Sequence, residues 1–110
     1  MVVPQRGQFI WLSFDPQTGH EQQGRRPALV MSNSSFNRKM GFVFVCPISN
    51  TQRNNPFYIP IPDGLSVTGK IFCDQLKSLD YRARNAEVIE ECPPELFEQV
   101  LVRVQLIVSS

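Results

Sequence analysis

The chain reads as a mainly β protein, a small antiparallel barrel closed by one C-terminal helix. Three observations predict this: a series of short aromatic and β-branched segments, the polar turns between them, and one amphipathic stretch at the end. Residues 8–14 (QFIWLSF) have the composition of a buried strand. Asp15-Pro16 opens a polar loop, and a second strand covers Pro27 to Ser32. Ser32 to Met40 is polar and carries Asn37, Arg38 and Lys39, which suits a loop or a single helical turn. Gly41 to Ser49 is the strongest strand, with Phe42, Phe44 and Cys46 on one face. After a turn-rich loop, Phe57 to Ile61 is a short strand flanked by prolines, as at a sheet edge. Asp63-Gly64 marks another turn. Gly69 to Asp80 alternates as one strand, with Ile71, Cys73, Gln75 and Lys77 on one side and Phe72, Asp74, Leu76 and Ser78 on the other. Its polar centre predicts a face that is not simply core. Pro93-Pro94-Glu95 starts the terminal helix, whose apolar stripe is Leu96, Val100, Leu101, Val104 and Ile107.

The chain of 110 residues carries no repeat, linker or low-complexity tract, so residues 1–110 read as one domain. A hydrophobic share of 42% with 19% charged residues fits a globular protein. Cys46, Cys73 and Cys92 are odd in number and widely spaced, which argues against a disulfide framework or a zinc site and for a reducing cytoplasm. No signal peptide or membrane span is expected, since the best apolar run, Phe42 to Ile48, is too short and holds Pro47.

The net charge of +1 hides a division. Residues 1–86 hold ten Lys and Arg against five Asp and Glu, whereas residues 87–110 hold one Arg against five Glu. A basic body can thus present a positive surface for nucleic acid as a defined site.

Chemistry concentrates in Gly19 to Pro27, a loop holding the only histidine, His20, with Glu21, Arg25 and Arg26. A histidine exchanges protons near neutral pH. A guanidinium holds an anion by its planar fork. That set suits a phosphodiester. Cleaving RNA requires removing the 2′-OH proton, stabilising the anionic phosphorus centre and protonating the departing 5′ oxygen. The sequence offers no metal-binding spacing, no phosphate-cradling glycine loop and no serine-hydrolase elbow. A bland alternative stands beside each feature: His20 and Arg25 as solvated charges, Asp74 as a structural partner of Lys70 or Arg84, Trp11 and the phenylalanines as core, and Cys46 and Cys73 as inert core.

Several segments in order resemble the MazF/PemK (Kid) family of toxin endoribonucleases. These are Phe14-Asp15-Pro16, Gly19 to Gly24, Arg26 to Val30, Phe36-Asn37, Val45 to Ser49 and Cys73 to Asp80, spread over nearly the whole chain. The resemblance implies a CcdB/Kid-like fold, an SH3-like barrel with a short terminal helix, acting as a cytoplasmic homodimer restrained by a cognate antitoxin. It implies a cofactor-free, metal-independent and sequence-specific cleavage of single-stranded RNA, leaving a 2′,3′-cyclic phosphate and a 5′-OH.

Residue by residue, Arg26 matches the family's catalytic arginine, and Ser49 stands where the family usually has threonine. Serine keeps the hydroxyl and loses the methyl that stiffens the rotamer. His20 and Asp74 match the histidine and aspartate assigned to catalysis in the PemK branch. Phe72 occupies the place of that branch's arginine and cannot do its work. The expected assignment is therefore mixed. Arg26 neutralises the phosphorane, Ser49 bonds a phosphate oxygen, and His20 moves protons with Glu21 or Asp74. Asn37, Gln75 and Lys77 are the candidates to read bases or hold the strand, with Arg84 and Asp15 as further substrate contacts. Two other classes remain: a non-catalytic CcdB-like barrel that inhibits a protein such as gyrase, and a regulator that binds RNA without cutting it.

Overall fold

The computed structural model describes residues 2–14 and 24–109. Within them lie strands β1 (Gln8–Ser13), β2 (Arg25–Val30), β3 (Phe42–Ser49), β4 (Tyr58–Pro60), β5 (Lys70–Phe72), β6 (Lys77–Asp80) and β7 (Glu87–Glu91), with helices α1 (Ser34–Met40) and α2 (Pro94–Ser109). The expected mainly β architecture with a C-terminal helix is present. All pairings are antiparallel, in the order β4-β5-β3-β2-β1-β7, with β6 also on β3. The end strands are tied by a side chain rather than a ladder: the Ser66 N–H, in the loop after β4, donates to the Glu90 carboxylate on β7 at 2.9 and 3.0 Å.

Two buried clusters follow from the alternation of strand side chains. Phe9, Leu29, Cys46, Ile48, Ile59 and Ile71 face α2 through its Leu96, Val100 and Val104. Ile10, Leu12, Ala28, Val30, Val43, Val45, Leu79 and Tyr81 form the other. Of the expected helix stripe, Ile107 stays about half exposed, because it lies past the last core contact.

Three expectations change, and one strand is added. Ser34 to Met40 is a two-turn helix, because Asn33 caps it by accepting from the Phe36 N–H at 2.8 Å and Gly41 closes it at φ 70°. Gly69 to Asp80 is two strands. β5 pairs Ile71 with Ile48, and β6 pairs Lys77 with Val45, so residues 73–76 bulge opposite Cys46 and Pro47. Pro47 has no N–H to give a ladder there. The acidic run 87–91 is the edge strand β7, paired with β1, and its glutamates suit an edge that must not recruit another strand. Finally, Trp11, Phe42 and Phe44 are not core: they are 40%, 42% and 38% exposed. Val43 and Val45 take the buried face instead.

Candidate active site

Arg25 and Arg26 are consecutive in β2, opposite Ser13 and Leu12 of β1, so their side chains leave the sheet on opposite faces. Arg25 is absorbed by the fold. Its guanidinium donates to Ser13 Oγ at 3.3 Å, to the Asn85 carbonyl at 2.9 Å and to Glu87 Oε1 at 2.8 Å. The reading of Arg25 as a solvated charge is thereby corrected: only 13% of its side chain is exposed. Arg26 is exposed; its backbone is held in the ladder opposite Leu12, and its guanidinium has no hydrogen-bond partner among the described residues.

Arg26 lines an open cavity of about 270 Å3 with Phe14, Pro47, Ile48, Ser49, Phe72, Gln75 and Lys77. Ser49 ends β3, half buried, and its backbone is held from β5. The clamp is Gly69, at φ +114°, where an added Cβ would stand 2.7 Å from the Ser49 carbonyl oxygen. Gln75 and Lys77 arrive through the bulge and the start of β6. The described lining thus holds two cations, a hydroxyl and a carboxamide, with no carboxylate. Such a lining attracts an anion and can grip its oxygens.

Asp74 is not in this cavity. It lines a second one, also about 270 Å3, with Cys73, Leu76, Val104, Ile107 and Val108. Its suggested structural partners are engaged elsewhere: the Lys70 ammonium donates to the Arg53 carbonyl at 2.6 Å and to Asn54 Oδ1 at 3.2 Å. Arg84, expected to touch substrate, donates from Nη1 to the carbonyls of Ser13 at 3.1 Å and Phe14 at 2.8 Å. It pins the end of β1 beside the cavity, where the Phe14 N–H also donates to the Gly24 carbonyl at 2.9 Å.

Asn37, expected to read a base, is fully buried. Its amide donates to the carbonyls of Pro4 at 2.8 Å and Ser32 at 3.2 Å, and Oδ1 accepts from the Ser32 hydroxyl. Both donors are taken, so this expectation is corrected: Asn37 holds the chain together. His20, Glu21 and Asp15 lie outside the described residues. Among the described residues no cluster of three potential metal ligands occurs.

The cysteines match their inert reading. Burial pushes the Cys46 thiol up to about 12 and the Cys73 thiol up to about 11, so neither supplies a thiolate near neutrality. The aromatic members of the cavity, Phe14 and Phe72, are site residues that the sequence reading does not name. Phe14 carried a signal, since it adjoins the polar loop; Phe72 carried none beyond its unusual place in the family pattern.

Fold and cavity together define a class: a compact β scaffold that presents a positive, hydroxyl-bearing cavity at the ends of its central strands. The profile of PemK-like, MazF-like toxins of type II toxin–antitoxin systems matches residues 5–108. The Endoribonuclease toxin ChpB of Escherichia coli (strain K12) is 38% identical over 111 residues, covering 96% of this chain and 94% of that protein. A MazF crystal structure from Deinococcus radiodurans superposes with TM-score 0.89 at 37% identity, covering 100% of both chains. A MazE–MazF crystal structure from the same organism gives 0.87 at 32% identity, covering 99% of this chain and 98% of that one. The chain belongs to the PemK-like, MazF-like family of toxins of type II toxin–antitoxin systems, whose curated relatives are endoribonucleases.

Proposed function

We propose that this toxin cleaves single-stranded RNA, mRNA included, at specific sequences, without a metal ion. The observation that carries the reading is that Arg26 and Ser49, distant in sequence, line one cavity with Lys77 and Gln75. A base takes the 2′-OH proton, the 2′ oxygen bonds to phosphorus, and the P–O5′ bond breaks as an acid returns a proton to the 5′ oxygen. The products are a 2′,3′-cyclic phosphate and a 5′-OH. The Arg26 guanidinium neutralises charge building on the phosphorane, a role that its lack of partners among the described residues leaves open to it. The Ser49 hydroxyl donates to a phosphate oxygen, and Lys77 holds a neighbouring phosphate. Proton transfer falls to His20 and Glu21, because Asp74 lines the other cavity of its own chain.

The test is purified protein with mixed-sequence RNA in EDTA. Cuts with 5′-OH ends, at recurring sequences, are expected from wild type and not from Arg26→Ala. A folded wild type that leaves RNA intact and instead inhibits gyrase would move the chain to the CcdB-like class.

The same reading includes two protein partners. A second copy fits the apolar surface formed by Leu76, Val104, Ile107 and Val108, giving a homodimer. A cognate antitoxin, as in the MazE–MazF structure, would bring an acidic segment that folds onto the basic body and competes with RNA for Arg26 and Lys77. Titrating that segment against RNA at several salt concentrations tests this; simultaneous occupancy would refute it. The cytoplasm is where such a toxin meets mRNA. Among the described residues no helix is long and apolar enough to cross a membrane.

A further inference from the structure

The outward face of β4 and β5 carries an aromatic pair that the core does not use. Ile59 and Ile71, paired across the two strands, point inward to the α2-facing cluster. Their neighbours Tyr58 and Phe72, also directly opposite each other, therefore point outward. The two rings pack with centroids 4.4 Å apart and planes 31° from parallel. Only Phe72 of the two lines the Arg26–Ser49 cavity. Tyr58 thus supports the Phe72 ring from beyond the cavity wall and limits its rotation.

The cavity has two chemistries side by side. Arg26, Lys77 and Ser49 supply charge and a hydrogen-bond donor, while Phe72, with Phe14, Pro47 and Ile48, supplies an apolar wall. A nucleotide has the same two halves, an anionic phosphate and a flat π-face. At about 270 Å3 the space is just smaller than a typical ligand site, so it takes one unit of a longer strand. Unstacked bases of single-stranded RNA seat on aromatic rings in this manner.

We propose that Phe72, braced by Tyr58, is a stacking platform for the nucleobase adjacent to the phosphate held by Arg26 and Ser49. The proposal rests on the cleavage reading above. It gives the site a means of choosing substrate: a base is required beside the cut, and Gln75 in the same lining has the donor and acceptor to read its edge. An acidic peptide could satisfy the cations but has no base to seat on the ring.

The probe is an RNA oligonucleotide spanning a site that the wild-type protein cuts, with a 2′-O-methyl group at the cut nucleotide so that binding is read without cleavage. Each position flanking the cut is replaced in turn by an abasic nucleotide. Wild type should lose about 5-fold to about 150-fold in affinity at one such position, the range expected for one stacked base. Phe72→Leu should lose a similar factor on the intact RNA and little more on the abasic one, while Phe72→Tyr keeps wild-type binding. On cleavable RNA, Phe72→Leu should raise KM with kcat largely kept, as for binding shared by ground and transition states. Equal binding of intact and abasic RNA by wild type overturns the proposal without needing any variant. Additive losses in Phe72→Leu also overturn it. Failure of wild type to cut any RNA would instead strike the cleavage reading, and it shows at the first step.

Discussion

The end of the molecule around α1 and the end around the cavity treat their polar groups in opposite ways. At α1 nearly everything is satisfied internally. Asn37 bonds Pro4 and Ser32, the Tyr81 hydroxyl donates to the Asn37 carbonyl at 3.1 Å, and the Phe44 N–H donates to Ser32 Oγ at 2.9 Å. At the cavity the Arg26 guanidinium is exposed and has no partner among the described residues, although that of Arg25 beside it has three. Polar groups that are buried must be paired, and a protein that pairs them gains rigidity. Polar groups meant for a ligand are instead held in place by backbone and left open. The contrast separates residues that make the fold from residues that use it.

Arg26→Ala should break the cavity side alone. RNA cleavage should fall by about 100-fold or more, the usual loss when a charge stabiliser is removed, with the urea midpoint unchanged. Near wild-type cleavage by the folded variant would falsify the role given to Arg26. Ser49→Ala should lose about 10-fold to about 100-fold, as for a hydrogen bond to a charged group, whereas Ser49→Thr keeps activity because it keeps the hydroxyl. Steady-state kinetics on both variants decide this, and an inactive, well-folded Ser49→Thr enzyme would end the correspondence drawn for that position.

The α1 side should fail in the complementary way. Asn37→Ala leaves the Pro4 and Ser32 carbonyls without their buried donor, so urea unfolding should show a loss of about 1–3 kcal/mol. Its specific activity per folded molecule should be kept; a folded variant that binds RNA more weakly would return Asn37 to the substrate site. Arg25→Ala should lower stability by about 1–2 kcal/mol, through the lost bonds to Ser13 and Asn85, while the ion pair to the 71% exposed Glu87 is solvent-screened and adds little. Comparing cleavage by the Arg25 and Arg26 variants sharpens the division most directly.

The smallest effect near neutrality concerns the buried thiols. Cys46 keeps its proton in the folded chain to about 12, against 9.0 for an ordinary thiol, because burial disfavours the thiolate and Cys73 and Asp74 add repulsion. Between those values only the unfolded chain ionises there, so stability should be level below about pH 9 and fall as pH rises above it. Thermal melting across pH 7 to 11 measures this, as an order-of-magnitude linkage effect. Cys46→Ala should flatten the slope contributed by this group, and an unchanged slope would count against it.

Part of the candidate site was legible in the sequence because its elements are local. Arg26 precedes a proline at the start of an apolar run, Ser49 closes the most apolar strand, and the helix from Pro94 announces itself by its stripe. Hydrophobic period and turn chemistry act over a few residues, so they determined most of the strands, the terminal helix and the order of the candidate residues along them. Tertiary structure decided what depends on a distant partner. Alternation says that Phe42 and Phe44 lie opposite Val43 and Val45, but only the packed sheet decides which pair is covered. The break between β5 and β6 comes from Pro47 on another strand, and the burial of Asn37 comes from Pro4 and Tyr81. The same holds for the two arginines: their neighbours in sequence are nearly shared, but Glu87 and Asn85 approach one of them and the cavity opens beside the other. A side chain's freedom to act is set by the long-range contacts that reach it, and those exist only once the chain has folded.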